Sequence, residues 1–215
     1  MSVEGKEMSA FIAIPCMETM PTVTVKSLLE LDIEQGTRIS FSMSSLVYDA
    51  RNALAEQACS GGYDRILWLD SDMTFDADLF RRLSARIDEG CDFVTGLYFS
   101  RKMPIEPVIY KNVDLLWIDE KMKPTAIAYD DYPQNSLFEI RGCGFGGCMT
   151  TTKMVEDIID KFGYVFSPIL GFGEDLSFCQ RATQAGYKIY CDSSIKLGHK
   201  SHCIVQESDY VGGKR

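Results

Sequence analysis

The chain has 215 residues, enough for one domain or a tightly joined pair, and its 46% hydrophobic and 25% charged residues exclude a disordered or fibrous chain. Twenty-two Lys and Arg stand against 31 Asp and Glu, a formal charge of −9 that has the wrong sign for a general binder of nucleic acid or anionic membranes. A bound anion such as a nucleotide therefore requires a local source of positive charge.

The opening MSVEGKEMSAFIAIPC has acidic residues before a short apolar run, unlike a secretory signal, and no window approaches 18 uncharged apolar residues. The expectation is a cytoplasmic chain without a transmembrane segment. Eight cysteines (Cys16, Cys59, Cys91, Cys143, Cys148, Cys179, Cys191 and Cys203) include no CxxC pair and mostly sit in apolar stretches, so they read as reduced, buried small hydrophobes.

In chain order, Ser9 to Pro15 is a buried strand ended by proline, and Thr24 to Glu34 a helix. Arg38 to Ser42 alternates as a strand, and Leu46 to Cys59 is helical until Gly61-Gly62 stops it. Arg65 to Leu69 is a buried strand, Asp70 to Thr74 a polar turn, Ala77 to Glu89 an amphipathic helix ended by Gly90, and Asp92 to Tyr98 a further strand. Strands and helices alternating at this spacing predict an α/β architecture with a mainly parallel sheet covered on both faces. From Ser100 to Leu137, prolines interrupt short apolar runs, which predicts a small antiparallel portion of hairpins and loops. Glu139 to Cys143 then leads into the glycine-rich GCGFGG, Lys153 to Phe162 and Glu174 to Ala185 read as helices, and Lys188 to Cys191 as a strand. With no repeat or linker, the whole of 1–215 reads as one domain, with a nucleotide-binding half over 9–100 and an acceptor and catalytic half over 101–205.

In a parallel α/β sheet ligands bind outside the carboxyl ends of the strands, so motifs there carry weight. Asp70 and Asp72 follow the strand RILWL directly, flank Ser71, and can share a divalent cation such as Mg²⁺ or Mn²⁺. Spacing alone says little: 18 Asp in 215 residues give about 1.5 such triplets by chance, and a second, Asp76/Asp78, reads as charge at a helix start. Glu174 and Asp175 follow Gly171-Phe172-Gly173 at another helix start, where the alternatives are helix capping and acid/base work. The two histidines, His199 and His202, lie in GHKSH after the last strand and suit a transition-metal site, or else a surface tail. Arg51, in the helical Ala50-Arg51-Asn52, offers a planar fork for a ribose or diphosphate, with a surface salt bridge as the plainer alternative.

Taken together, FIAIP, ARN, the strand into DSD, GFGG, GEDLSFCQRATQAGYKIYCD and GHKSH resemble the family-2-like glycosyltransferases of GT-A fold, over about residues 10 to 202. The resemblance implies a hexosyltransferase-like enzyme that moves a sugar from a nucleoside-diphosphate sugar, a UDP-sugar by preference, to an acceptor hydroxyl. By the same likeness Asp72 and His199 would hold the metal, and Asp70 the ribose or the metal's water shell. Pro15, Arg51 and Ser71 would line the donor site, and Asp175, paired with Glu174, would be the base of an inverting transfer. The QxxRW-like pattern of processive synthases is absent, which argues against polymer synthesis. Three rivals remain open: a haloacid-dehalogenase-type phosphatase using DSDMT with Asp70 as nucleophile, a nucleotidyltransferase, and a non-catalytic nucleotide-sugar-binding module. Acceptor choice falls to loops such as 99–110 and 124–136, with Tyr98, Arg101 and Trp117 as candidate pocket residues.

Overall fold

The computed structural model describes residues 9–118, 121–201 and 204–210. The first half runs β1 (Ala10–Cys16), α1 (Thr22–Leu29), β2 (Arg38–Met43), α2 (Val47–Ser60), β3 (Arg65–Leu69), β4 (Met73–Thr74), α3 (Leu79–Asp88) and β5 (Phe93–Leu97). The second half adds β6 (Ile109–Ile118), β7 (Lys121–Ala128), β8 (Leu137–Ile140), β9 (Gly142–Cys143), β10 (Gly147–Thr151), α4 (Thr152–Phe162), α5 (Glu174–Gln184), β11 (Ile189–Lys196), β12 (Gly198–Lys200) and β13 (Ile204–Val205).

Seven strands form the central sheet in the order β2-β1-β3-β10-β5-β11-β8. Strands β1, β2, β3, β5 and β11 share one direction, while β10 and β8 run against their neighbours, so the sheet is mainly parallel as expected. Period-two alternation divides the apolar side chains between two cores. Phe11, Ala13, Ile66 and Trp68 face α2, α4 and α5, packing with Leu54, Ala58, Met154, Ile158 and Phe178. Ala10, Ile12, Ile14, Leu67 and Leu69 point the other way, onto Leu79, Phe80, Leu83 and Ile87 of α3 and Leu28 of α1. The seven described cysteines are free.

Where elements depart from the sequence expectation, a tertiary contact accounts for it. Helix α1 stops at Leu29 instead of continuing to Glu34, and just beyond it the Asp32 N–H bonds the Ala77 carbonyl (2.8 Å). Strand β11 runs past Cys191 to Lys196, because the Asp192 carboxylate that breaks the apolar pattern is buried against Arg86 (2.9 Å). Pro124 lies inside β7, an edge strand of the sheet β7-β6-β9, where a missing N–H donor costs no ladder bond. The largest correction is β10: the end of the glycine-rich stretch is a buried strand at the middle of the sheet, joining β3 to β5.

Candidate active site

The carboxyl ends of β1, β2 and β3 and the start of α5 enclose a cavity of about 480 Å³. Pro15, Arg51, Asp70, Ser71, Asp72, Glu174, Asp175 and His199 all line it, so residues scattered over most of the chain meet at one place. His202 and the Trp117 side chain lie outside the described part, whereas Tyr98 and Arg101 line the cavity.

Asp70 to Asp72 are held by backbone bonds at both ends. The Asp70 N–H donates to the Gly146 carbonyl (3.3 Å), and the Asp72 carbonyl accepts from Lys200 N–H (2.8 Å). Just beyond, β4 pairs antiparallel with β12, setting His199 opposite Met73 and bringing the histidine across from Asp72. The His199 Nδ1 lies 2.9 Å from the Phe99 carbonyl, which can only accept, so Nδ1 carries the hydrogen and Nε2 is left to face Asp72 Oδ1 at 3.6 Å. The backbone carbonyl fixes one ring nitrogen and leaves the other turned to the Asp72 carboxylate. Burial works to raise the Asp72 carboxyl, but His199 and Arg101 outweigh it and hold it below its ordinary value.

The expected trio of metal ligands is not fully assembled. Among the described residues no group of three His, Cys, Asp or Glu side chains lies in ligating arrangement. Asp72 and His199 face each other, while the Asp70 carboxylate accepts from the Arg51 Nη2 at 2.6 Å.

Arg51 also differs from its expected setting. Its side chain is 2% exposed; Nη1 donates to Glu174 Oε1 (2.9 Å) and to Asp175, and the guanidinium lies over the Phe145 and Phe166 rings. A guanidinium committed to three carboxylates has little left for a diphosphate, so Arg51 is a clamp for the acidic groups. The same contacts show where the Glu174 and Asp175 carboxylates go. Helix α5 has no side-chain cap bond at its start; the two carboxylates reach into the cavity and share Arg51 instead. Asp175 is pushed up to about 7 from 3.8, chiefly by burial, which outweighs the pull of Arg51, with the charges of Glu174 and Asp70 adding to the rise.

The approach to α5 is built to hold this geometry. Asn52 accepts from the Phe166 N–H (3.0 Å), buried Arg181 donates to the Val165 (2.7 Å) and Ser167 (2.6 Å) carbonyls, and Gly171 takes φ +91, a conformation that penalises any Cβ. Gly144 and Gly146 lie just before β10 in the glycine-rich stretch. They make room for buried Tyr98, whose hydroxyl accepts from the Gly146 N–H (3.2 Å) and would lie 2.0 Å from a Cβ on Gly144. Cavity residues missed from the sequence include Ser44, Ser45 and Tyr110; the pair of serines follows β2, and the strand-end rule could have flagged it.

No protein-family model and no curated protein matches the sequence, whereas solved structures match the fold. A197 from STIV is similar with a TM-score of 0.64 at 20% identity, over 97% of this chain and 98% of that one. GalNAc-T7, solved with UDP, GalNAc and Mn²⁺, gives 0.61 at 12% identity over 97% of this chain. TarS of S. aureus, residues 1–349, gives 0.52 at 15% over 87% of this chain, and it has also been solved with UDP-GlcNAc. The chain spans 47% of the GalNAc-T7 chain and 60% of the TarS chain. These likenesses establish a GT-A-like fold. DSDMT therefore follows the third strand of a GT-A-like sheet, whereas the phosphatase alternative needs it after the first. Among the described residues no helix is long and apolar enough to cross a membrane.

Proposed function

We propose that the chain is a divalent-metal-dependent glycosyltransferase that moves a sugar from a nucleoside-diphosphate sugar, preferably a UDP-sugar, to an acceptor hydroxyl with inversion. One observation carries the reading: on a GT-A-like sheet, a single cavity holds an Asp72–His199 pair on one wall and Asp175, titrating near neutrality, on another. The UDP, Mn²⁺ and UDP-GlcNAc bound in structures of GalNAc-T7 and TarS support the donor class and the metal.

The donor set fits a hard or borderline cation, with a carboxylate oxygen from Asp72 and a neutral imidazole nitrogen from His199. Bound Mn²⁺ or Mg²⁺ supplies charge that stabilises the departing nucleoside diphosphate. In this reading Pro15 and Ser71 flank the nucleoside, and Asp70 reaches the ribose. Arg51 keeps Asp70, Glu174 and Asp175 in fixed register, so the leaving group and the attacking hydroxyl are oriented by one buried side chain. Asp175 takes the proton of the acceptor hydroxyl, and a carboxyl near 7 suits a base working at neutral pH. Residues 9–100 supply most of the donor wall, and 101–205 supply the base and the histidine.

A thermal-shift screen against UDP-, GDP-, CMP- and dTDP-sugars, with and without Mn²⁺, tests the reading, because a ligand that binds the native state raises the midpoint. A Mn²⁺-dependent shift with one nucleotide family supports it. No shift with any donor defeats it, and a shift without transfer to any acceptor leaves the binding-module alternative.

A further inference from the structure

Among the described residues, carboxyl groups outnumber basic side chains on the wall of the cavity. Its wall carries four carboxyl groups, Asp70, Asp72, Glu174 and Asp175, and the deepest base, Arg51, is spent on three of them. Arg101 and Lys102 are the other basic residues on the wall. They project from the turn between β5 and β6, whose base is tied by the Ser100 N–H to the Glu106 carbonyl (2.8 Å) and by a bridge between Phe99 and Pro107. Residues 101–104 are exposed, and the Arg101 side chain, 48% exposed, reaches back so that Nη1 bonds Asp72 Oδ2 at 2.5 Å. The other oxygen, Oδ1, is the one facing His199.

We propose that Arg101 is a movable counter-charge: it neutralises Asp72 in the ligand-free protein and passes to the donor diphosphate when a divalent cation takes Asp72. The inference rests on the nucleotide-sugar reading of the site. A divalent cation held by Asp72 and His199 would sit beside the guanidinium already bonded to the same carboxylate, and the two positive charges would compete for Asp72. The side chain can move by rotations of its exposed stem, the base of the turn beneath it being tied by the Ser100–Glu106 bond and the Phe99–Pro107 bridge. Its planar fork suits two phosphate oxygens, and the phosphates are then held on one side by the metal and on the other by Arg101.

The test is calorimetric titration of the full chain with Mn²⁺ alone and with UDP at saturating Mn²⁺, on wild type, Arg101→Gln, Arg101→Lys and Asp72→Asn. Removing the competitor should tighten Mn²⁺ alone in Arg101→Gln by roughly two- to fivefold, while losing the phosphate contact should weaken UDP about tenfold or more. Arg101→Lys should fall between on both counts. Opposite signs for metal and nucleotide are not produced by a merely structural loss, and an unchanged melting midpoint for this exposed substitution confirms the fold. Mn²⁺ affinity unchanged or weaker in Arg101→Gln, or UDP affinity equal to wild type, overturns the proposal. Failure of the underlying site reading looks different: wild type then binds no UDP, or Asp72→Asn binds Mn²⁺ as well as wild type does, and either result removes the proposal with it.

Discussion

Replacing Asp175 by Asn should make the protein more stable and catalytically inert, and the two effects share one cause. The folded carboxyl sits at about 7 against an ordinary 3.8. A raised carboxyl binds its proton more tightly folded than unfolded, so stability declines as pH climbs through the window from about 4 to 7. Three units at about 1.4 kcal/mol each put the cost of ionised Asp175 at roughly 4 kcal/mol above that window. Asparagine escapes this cost, and the pull of Arg51 on the carboxylate is already contained in the value of about 7. The variant should therefore gain up to about 4 kcal/mol at pH 8, and the gain should vanish below about pH 3, where wild-type Asp175 is protonated in both states. Urea denaturation at the two pH values reads this out. Transfer should drop by about 10²–10⁴, the usual contribution of a positioned base, with Mn²⁺-dependent UDP binding retained. Stability at pH 8 below that of wild type, or turnover above a tenth of it, would refute the argument.

The same carboxyl sets a pH profile: log kcat/KM should rise with unit slope to near pH 7 and then level, and a profile flat from pH 5 to 8 excludes Asp175 as the base. Asp72→Ala should abolish the melting shift given by UDP with Mn²⁺ while leaving the unliganded midpoint close to wild type. Arg51→Met strands three carboxylates around an apolar side chain and should cost about 3–5 kcal/mol at pH 8 and less at pH 5, measured by urea unfolding. Gly144→Ala forces a Cβ onto the Tyr98 hydroxyl and should cost about 1–3 kcal/mol, with part regained in the double variant with Tyr98→Phe.

What could be read from the sequence was whatever a local pattern encodes. RILWL followed by DSD, and GEDLSFCQ opening a helix, put Asp70, Asp72, Glu174 and Asp175 at strand and helix ends because hydrophobic period and position suffice for that. Strand β10 was hidden because two of its signals oppose each other: glycines that mark loops elsewhere are there to admit Tyr98 beside Gly146 and Leu197 against Gly147. Arg51 was seen, yet not its partners, since these come from 19, 123 and 124 positions away and no periodicity reports such distances. The meeting of His199 with Asp72 likewise depends on the β4–β12 pairing, two short strands with no pattern of their own. Arg101 was named for its place in a loop, but its bond to Asp72 is a property of the folded turn.

The position of β10 also sets an order in time. As the chain leaves the ribosome, β3 (ending at Leu69) and β5 (ending at Leu97) are made long before β10 (starting at Gly147), the strand that belongs between them, so each carries an open edge through a long stretch of synthesis. Such edges are templates for pairing with other chains. Since Gly146 and Lys200 also tie down the loop carrying Asp70 and Asp72, that loop cannot reach its final shape until nearly the whole polypeptide has emerged. A chain halted before β10 should accordingly be both inactive and prone to aggregate, and helper proteins that shield nascent strands should raise its yield more than slower translation of the last helix does.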